Sequence, residues 1–480
     1  ILIWTVVLWM LALTMQAMCA LLLTAWAENE RLTFPVVALP IALATEPRAL
    51  FANRLLWVGF AIAGGITLLN GLNYLYPSVP ALPIKRQTIV PIDSGPLSGP
   101  TTFVFSLYFF AIALGFLMPL DLGLSLWIFF LLHRAQLAFV AVHGYPPESR
   151  LPYADSQAFG AYMAVFAATA WRLRSHVTHL WSIAWRPEGH GDPERPAHRR
   201  NIAVAALGSA AIVGFLLWAG MSPVVAVAFP AIFFAVAIMI TRIRAEFGFP
   251  VHDMHSMGPG PVLVRVFGAE TFSRSTLGMF SMLHWMHRAY RGHVMPHQLE
   301  AYKLAGTDLR RRSAMSRAMT LAVLAAVPIC FAVFLSGYYD VGAATGHVNM
   351  WGVGYGREAF GYNLPTWLKN PARADIGDGI ATGAGFAVAL LLAFVRTFLP
   401  GVPLHPLAYA VSNSWGMAQL WLPIMIGSLC KGAVLKGRGL KGYRGALQFF
   451  FGLMLGEFAV GCSWTLVGMA LQAPTYEFWP

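Results

Sequence analysis

From Ile1 to Ala27 the chain carries no acidic or basic side chain. About 20 apolar residues in a helix rise roughly 30 Å, the thickness of a bilayer's hydrocarbon layer. The same ruler returns ten further runs, at 55–76, 103–118, 122–142, 157–171, 202–220, 224–241, 318–337, 380–398, 406–430 and 446–471. A soluble domain draws about a quarter of its residues from the charged types. Here the charged fraction is 11% and the hydrophobic fraction 57% of 480 residues. A soluble globular enzyme, a disordered chain and a collagen-like repeat are thereby excluded. The expected fold class is all-α, a polytopic integral membrane helical bundle of about 11–14 transmembrane helices with re-entrant or broken segments.

The whole of 1–480 reads as a single membrane domain. N-terminal helices occupy 1–171, a basic cytoplasmic loop 172–200, and central helices with a His-rich broken segment 201–337. An aromatic outer loop fills 338–379 and C-terminal helices fill 380–480. Six arginines between 172 and 200 place that loop inside by the positive-inside rule. The basic runs Lys303 to Arg317 and Lys431 to Arg444 both call for the same side, yet three spans separate them. One intervening segment must then be a hairpin, a half-helix or an uncounted crossing, expected around Pro400–Asn413, where Pro400, Pro403 and Pro406 cluster. Stretches 34–44 (Pro35, Pro40) and 261–285 (Arg265, Glu270, Arg274) are too broken to span cleanly and read as re-entrant or interfacial.

The net charge of +12 fits basic cytoplasmic loops, and no nucleic-acid partner is expected. Cys19, Cys330, Cys430 and Cys462 lie in apolar runs without a C-x-x-C pair, so neither a zinc site nor a disulfide framework is indicated. No Walker A, nucleophile-elbow, haem or dinucleotide fingerprint occurs, and no cofactor is called for. Gly59, Gly64 and Gly65 permit close helix approach, with ordinary membrane packing the favoured meaning. The chain begins at Ile1 without an initiator Met, and sequence upstream of it is expected.

Ionisable residues at bilayer depth are functional candidates because their burial is costly. His133 and Arg134 fall mid-way along 122–142, and Glu457 mid-way along 446–471. Both Arg134 and Glu457 are expected to face the interior, as a static ion pair or as a charge site that titrates during transport. The densest polar constellation is Arg242-Ile-Arg-Ala-Glu246 followed by His252-Asp253-Met-His255. His284, His287, His293, His297 and Glu300 come next, and Gly258-Pro-Gly-Pro261 punctuates the region. Three uses stay open for it: metal binding by imidazole and carboxylate, proton handling or substrate hydrogen bonding, and structure alone. The candidate substrate or proton path is Arg134, His133, Glu457, His252, Asp253, His255, His297 and Glu300.

The runs Glu30-Arg-Leu-Thr-Phe-Pro-Val-Val-Ala-Leu-Pro40, Tyr76-Pro-Ser-Val-Pro80, Met295-Pro-His-Gln-Leu-Glu300 and Ser412-Asn-Ser-Trp415 carry a resemblance. They resemble an uncharacterised family of bacterial polytopic membrane proteins, a domain-of-unknown-function family distantly similar to the oligopeptide transporter superfamily. That resemblance implies a secondary-transporter-like protein of the bacterial inner membrane, moving small peptides or metal chelates by proton coupling. It transfers no catalytic residue. The alternative is a non-catalytic structural or accessory subunit of a larger membrane complex. A membrane-embedded metalloenzyme ranks third. Expected partners are the lipid bilayer, a small-molecule substrate, and partner membrane subunits or a homo-oligomer.

Overall fold

The computed structural model describes residues 1–89, 103–145, 150–185, 193–248, 255, 257–290, 292–348, 350–369, 371, 373–399 and 403–477. The fold is an all-α helical bundle; among the described residues the one sheet is a short antiparallel pair, Gln87–Ile89 with Phe103–Phe105. Eight helices are long and apolar enough to cross a membrane. They are Leu2–Asn29, Arg54–Leu75, Leu120–Val142, Arg195–Trp218, Pro223–Phe247, Leu309–Val341, Ile376–Phe398 and Trp415–Leu471. The chain divides into two compact units, each assembled from three separate segments.

The first unit comprises Ile1–Leu32, Tyr162–Ala245 and His252–Phe386. Its opening helix, Leu2–Leu23, packs on Arg195–Trp218, Val294–Ala305 and Leu309–Val341. A Cβ at Gly208 would overlap the Thr14 hydroxyl, so a glycine is required at that crossing. The broken stretch is realised as short helices Pro259–Phe267, Arg274–Met282, His284–His287 and Val294–Ala305. Pro259 at the first position starts one of them, and Gly268 at φ 80° ends it in a conformation that favours glycine. In Leu309–Val341, by contrast, no residue is buried.

The second unit comprises Thr33–Ala161, Glu246–Val251 and Ala387–Pro480. Arg54–Leu75 lies directly against the C-terminal part of Trp415–Leu471, backbone on backbone. A Cβ at Gly59 would strike the Phe449 carbonyl, one at Gly452 the Leu56 carbonyl, and one at Gly456 the Phe60 carbonyl. Small residues at these crossings let the two backbones approach closely. The nine-residue helix Phe109–Leu117 is held between two polar side chains from the same long partner. The Phe110 N–H donates to Glu457 Oε2 at 2.6 Å, and Lys431 Nζ donates to the Met118 carbonyl at 2.6 Å. A carboxyl group at the N-terminal pole and an amine at the C-terminal pole thus take up backbone groups that the short helix leaves without partners.

Three expectations are corrected. Span 103–118 is only Phe109–Leu117 in helical form, because the preceding β-branched and aromatic residues pair as a strand. The loop expected at 172–200 is helical up to Trp185 and again from Arg195. Arg and Leu are good helix formers, and neither Gly nor Pro interrupts 172–185. Likewise the basic run Lys431 to Arg444 is no loop; it lies within Trp415–Leu471, broken only at Gly439 (φ 57°, ψ −157°).

Candidate functional site

In the first unit the helix Pro223–Phe247 sets out a row of side chains one turn apart. Phe229 and Phe233 share a face, and the stretch between the short helices lays polar rings against them. His287 meets Phe229 edge-on at 5.7 Å, and Tyr290 stacks on Phe233 at 6.0 Å. His293 meets Phe233 edge-on at 5.6 Å and Tyr290 at 5.8 Å. Further along the same helix, Arg244 forks onto Glu300 through Nε at 2.6 Å and Nη2 at 3.0 Å, with the His297 ring 3.3 Å from its guanidinium. Arg242, two residues away and so on another face, takes Glu30 instead at 2.5 and 3.1 Å. Three histidines and a tyrosine thus line one side of a single helix.

Most of these polar rings are buried without a hydrogen-bond partner. Both ring nitrogens of His287, the Tyr290 hydroxyl and His293 Nε2 have none. Burial, with His284 nearby, pushes the His287 imidazole down to about 3. Burial, with His297 as a minor influence, does the same to His293, also about 3. His297 is lowered to about 4 by burial and by the Arg244 charge. All three are therefore neutral imidazoles at pH 7, each with one donor and one acceptor. Tyr290 is also held in the left-handed region, at φ 53°, a conformation that bulky residues adopt at a cost of about 1–3 kcal/mol. At Gly258 a Cβ would overlap the His287 ring, which explains the glycine in the Gly-Pro-Gly-Pro turn. Beside the row, Glu358 reaches Arg288 Nε at 2.8 Å and His284 Nε2 at 3.3 Å.

Two cavities open in this unit at different levels of Leu2–Leu23. The upper, about 310 Å³, is walled by Leu8, Leu11 and Met15 with Trp285, Tyr290 and His293. The lower, about 460 Å³, is walled by Ala20 and Thr24 with Glu194, Arg312, Tyr302 and Ser316. Residues 11 and 22 of one helix differ in height by about 16 Å. Between the two levels lie Gln16 and Cys19, both buried. Gln16 Nε2 donates to the Ser316 carbonyl at 2.8 Å and to Thr320 Oγ1 at 3.1 Å. Cys19 Sγ donates to the Met295 carbonyl at 3.2 Å, and Gln298 Nε2 to the Ala12 carbonyl at 3.0 Å. The helix Val294–Ala305 spans the pair, with Val294 on the upper wall and Tyr302 on the lower.

The sequence-expected residues distribute as follows. His297 and Glu300 come together around Arg244. His255 is exposed and stands 3.3 Å from Arg288 Nη1. His252 and Asp253 lie outside the described residues. His133, Arg134 and Glu457 belong to the second unit. Arg134 and Glu457 do not pair. The Arg134 guanidinium sits over the Phe103 and Phe130 rings at 5.4 and 5.8 Å, while Glu457, 1% exposed, takes the Phe110 N–H. Among the described residues no cluster of three or more His, Cys, Asp or Glu could hold a metal ion. Gln16, Tyr290, Arg288 and Glu358 were not marked by the sequence. A lone amide inside the charge-free first run was the available signal for Gln16.

What the fold and this region define is a helical bundle with eight potential membrane crossings and two separated cavities along one helix. The chain belongs, over residues 1–480, to the family of unknown function DUF6785. No curated protein matches it.

Proposed function

We propose that the chain is a secondary carrier embedded in a membrane, moving a small organic solute through the first unit by alternate exposure of the two cavities. The observation that carries this reading is the pair of cavities on one helix, separated only by the Gln16 and Cys19 level. Small peptides and metal chelates are the cargo implied by the resemblance to oligopeptide transporters, and the bacterial inner membrane is the implied location. Proton coupling would run through His293 and His297. A dry imidazole repels a proton and a wetted one regains its ordinary affinity, so widening the upper cavity until it reaches His293 Nε2, which is buried although the residue lines the wall, would load it.

The test is sided labelling. With Cys330, Cys430 and Cys462 replaced by Ser, Ala12→Cys reports the upper cavity and Ser313→Cys the lower. A membrane-impermeant thiol reagent should reach the two from opposite faces of reconstituted vesicles. Labelling of both from the same face would end the carrier reading.

A second reading, an accessory subunit of a membrane complex, is favoured by Leu309–Val341, a 33-residue helix with no buried residue. Purification with a stoichiometric partner that covers this helix would favour it, and a lone chain active in vesicles would remove it.

A further inference from the structure

Three helices wall the lower cavity: Leu2–Leu23 with Ala20 and Leu23, and the first two turns of Arg195–Trp218 and Leu309–Val341, both of which pack on it. The charges on this wall are unequally engaged. Arg312 is paired with Glu28 and donates through Nε to the Gly306 carbonyl at 2.8 Å. Glu194 stands 3.4 Å from His198 Nε2 and 4.0 Å from Arg312 Nη1. Arg200 is different: it is exposed on the wall, and its side chain has no hydrogen bond or ion pair among the described residues. The half-buried Asn201 beside it lines the same wall with an amide equally uncommitted among those residues. Burial raises the Tyr302 phenol and the Arg200 charge is among the influences opposing it, so that charge is felt on the cavity wall. The surroundings are basic: segments 194–201 and 303–317 carry eight Lys or Arg against Glu194 and Asp308. Beyond these turns the same two helices present open hydrocarbon. Leu309–Val341 buries no residue, and Leu321 and Leu207 are 66% and 71% exposed. At 1.5 Å per residue Leu207 lies about 10 Å along its helix from Arg200, and Leu321 about 14 Å from Arg312. A headgroup layer is about 5–8 Å deep, so a phosphate at Arg200 sets both leucines at acyl-chain depth.

We propose that the lower cavity seats the phosphate of an anionic phospholipid, held by Arg200 and Asn201, with the acyl chains along Arg195–Trp218 and Leu309–Val341. A guanidinium whose donors are uncommitted grips two phosphate oxygens through parallel N–H bonds, and the Asn201 amide adds a further donor. Basic pockets between spanning helices take acidic headgroups by the same chemistry. A phosphatidylcholine offers the same phosphate, but its quaternary ammonium meets a basic wall whose acid, Glu194, is already engaged. The assignment does not rest on the carrier reading.

The detergent-purified chain is titrated with dioleoylphosphatidylglycerol or dioleoylphosphatidylcholine, and bound lipid is counted by native mass spectrometry. Phosphatidylglycerol should bind about 10-fold or more tightly than phosphatidylcholine, and excess inorganic phosphate should not displace it. Arg200→Ala should weaken phosphatidylglycerol by about 10- to 100-fold, as expected for lost hydrogen bonds between charged groups. Arg310→Ala removes an equal charge from the exposed surface off the cavity wall and should cost no more than about 5-fold. Both variants should melt with the parent, since neither side chain has a partner among the described residues. Equal binding of the two lipids, unchanged affinity in Arg200→Ala, or equal losses in the two variants would overturn the assignment. Displacement by inorganic phosphate would also overturn it, leaving a site for the free anion. Opposite-face labelling of Ala12→Cys and Ser313→Cys in phosphatidylcholine vesicles, with no preference for phosphatidylglycerol, sinks this proposal and spares the carrier. That preference with same-face labelling does the reverse.

Discussion

Replacing Glu300 by Gln leaves the Arg244 guanidinium buried and its forked partner neutral. Both side chains are 10% exposed, and the two contacts are 2.6 and 3.0 Å. Breaking a buried pair from one side costs about 3–5 kcal/mol, because an uncompensated charge stays behind. Removing both charges is different. Arg244→Met with Glu300→Leu keeps volume, and such replacements are neutral or stabilising by about 1–4 kcal/mol. The double variant should therefore be more stable than Glu300→Gln by at least about 3 kcal/mol. Pulse proteolysis across a urea series on the detergent-solubilised protein reads this directly. Should Glu300→Gln cost under about 1 kcal/mol, or the double variant cost as much as the two single changes summed, the pair is not the buried interaction argued here. If the double variant is stable yet inactive in the vesicle assay, the charges serve function rather than folding.

Gly59 and Gly65 lie on one helix, yet a Cβ at Gly59 would meet the Phe449 carbonyl while one at Gly65 meets nothing within 4 Å. Gly59→Ala should destabilise by about 1–3 kcal/mol, and Gly65→Ala should stabilise by up to about 1 kcal/mol, measured by thermal melts. Glu457→Gln keeps an acceptor for the Phe110 N–H, so it should fold with near-normal stability; loss of pH-driven uptake in that variant alone would mark the carboxylate as a proton site. His287 and His293 sit at about 3 when folded and about 6.5 when unfolded, so the unfolded chain binds more protons between those values. Their stabilising contribution is complete above about pH 6.5 and declines as pH falls toward 3, by about 2 kcal/mol per histidine at pH 5. Urea midpoints at pH 7 and 5 should show a drop that His287→Gln reduces; an unchanged drop would contradict neutral burial. In Arg244→Met the His297 imidazole should titrate above its present value of about 4, followed by NMR of the ring protons.

Run length and charge scarcity made the helical class legible before any coordinates, but not the number of crossings: nine of the eleven apolar runs fall on the eight helices of crossing length, two of them on Trp415–Leu471, and 103–118 and 157–171 do not. The Gly258 to Pro261 punctuation also marked the broken backbone, and His297 with Glu300 were visible as members of the His-rich polar constellation; on Val294–Ala305 they lie three positions apart and share a face. Their partners were not legible. Arg244 reaches Glu300 across 56 positions, Arg288 reaches Glu358 across 70, and Gln16 reaches Ser316 across 300. No local period encodes such pairings. Charge was also misread as loop at 172–185 and 431–444, where arginine, lysine and leucine simply continue a helix. The cap role of Glu457 was hidden for a related reason: its partner is a backbone amide, which every sequence position offers alike.

The interleaving of segments bears on how such a chain is made. The first unit needs residues up to Phe386 before its last segment exists, and the second waits for Ala387 onward. During synthesis at about 5–20 residues per second, Ile1–Leu32 must wait several seconds for its first partner segment, which begins at Tyr162. A ribosome that stalls midway would therefore release a product with neither unit closed, and cutting the gene into two consecutive halves would yield two fragments that each lack part of both.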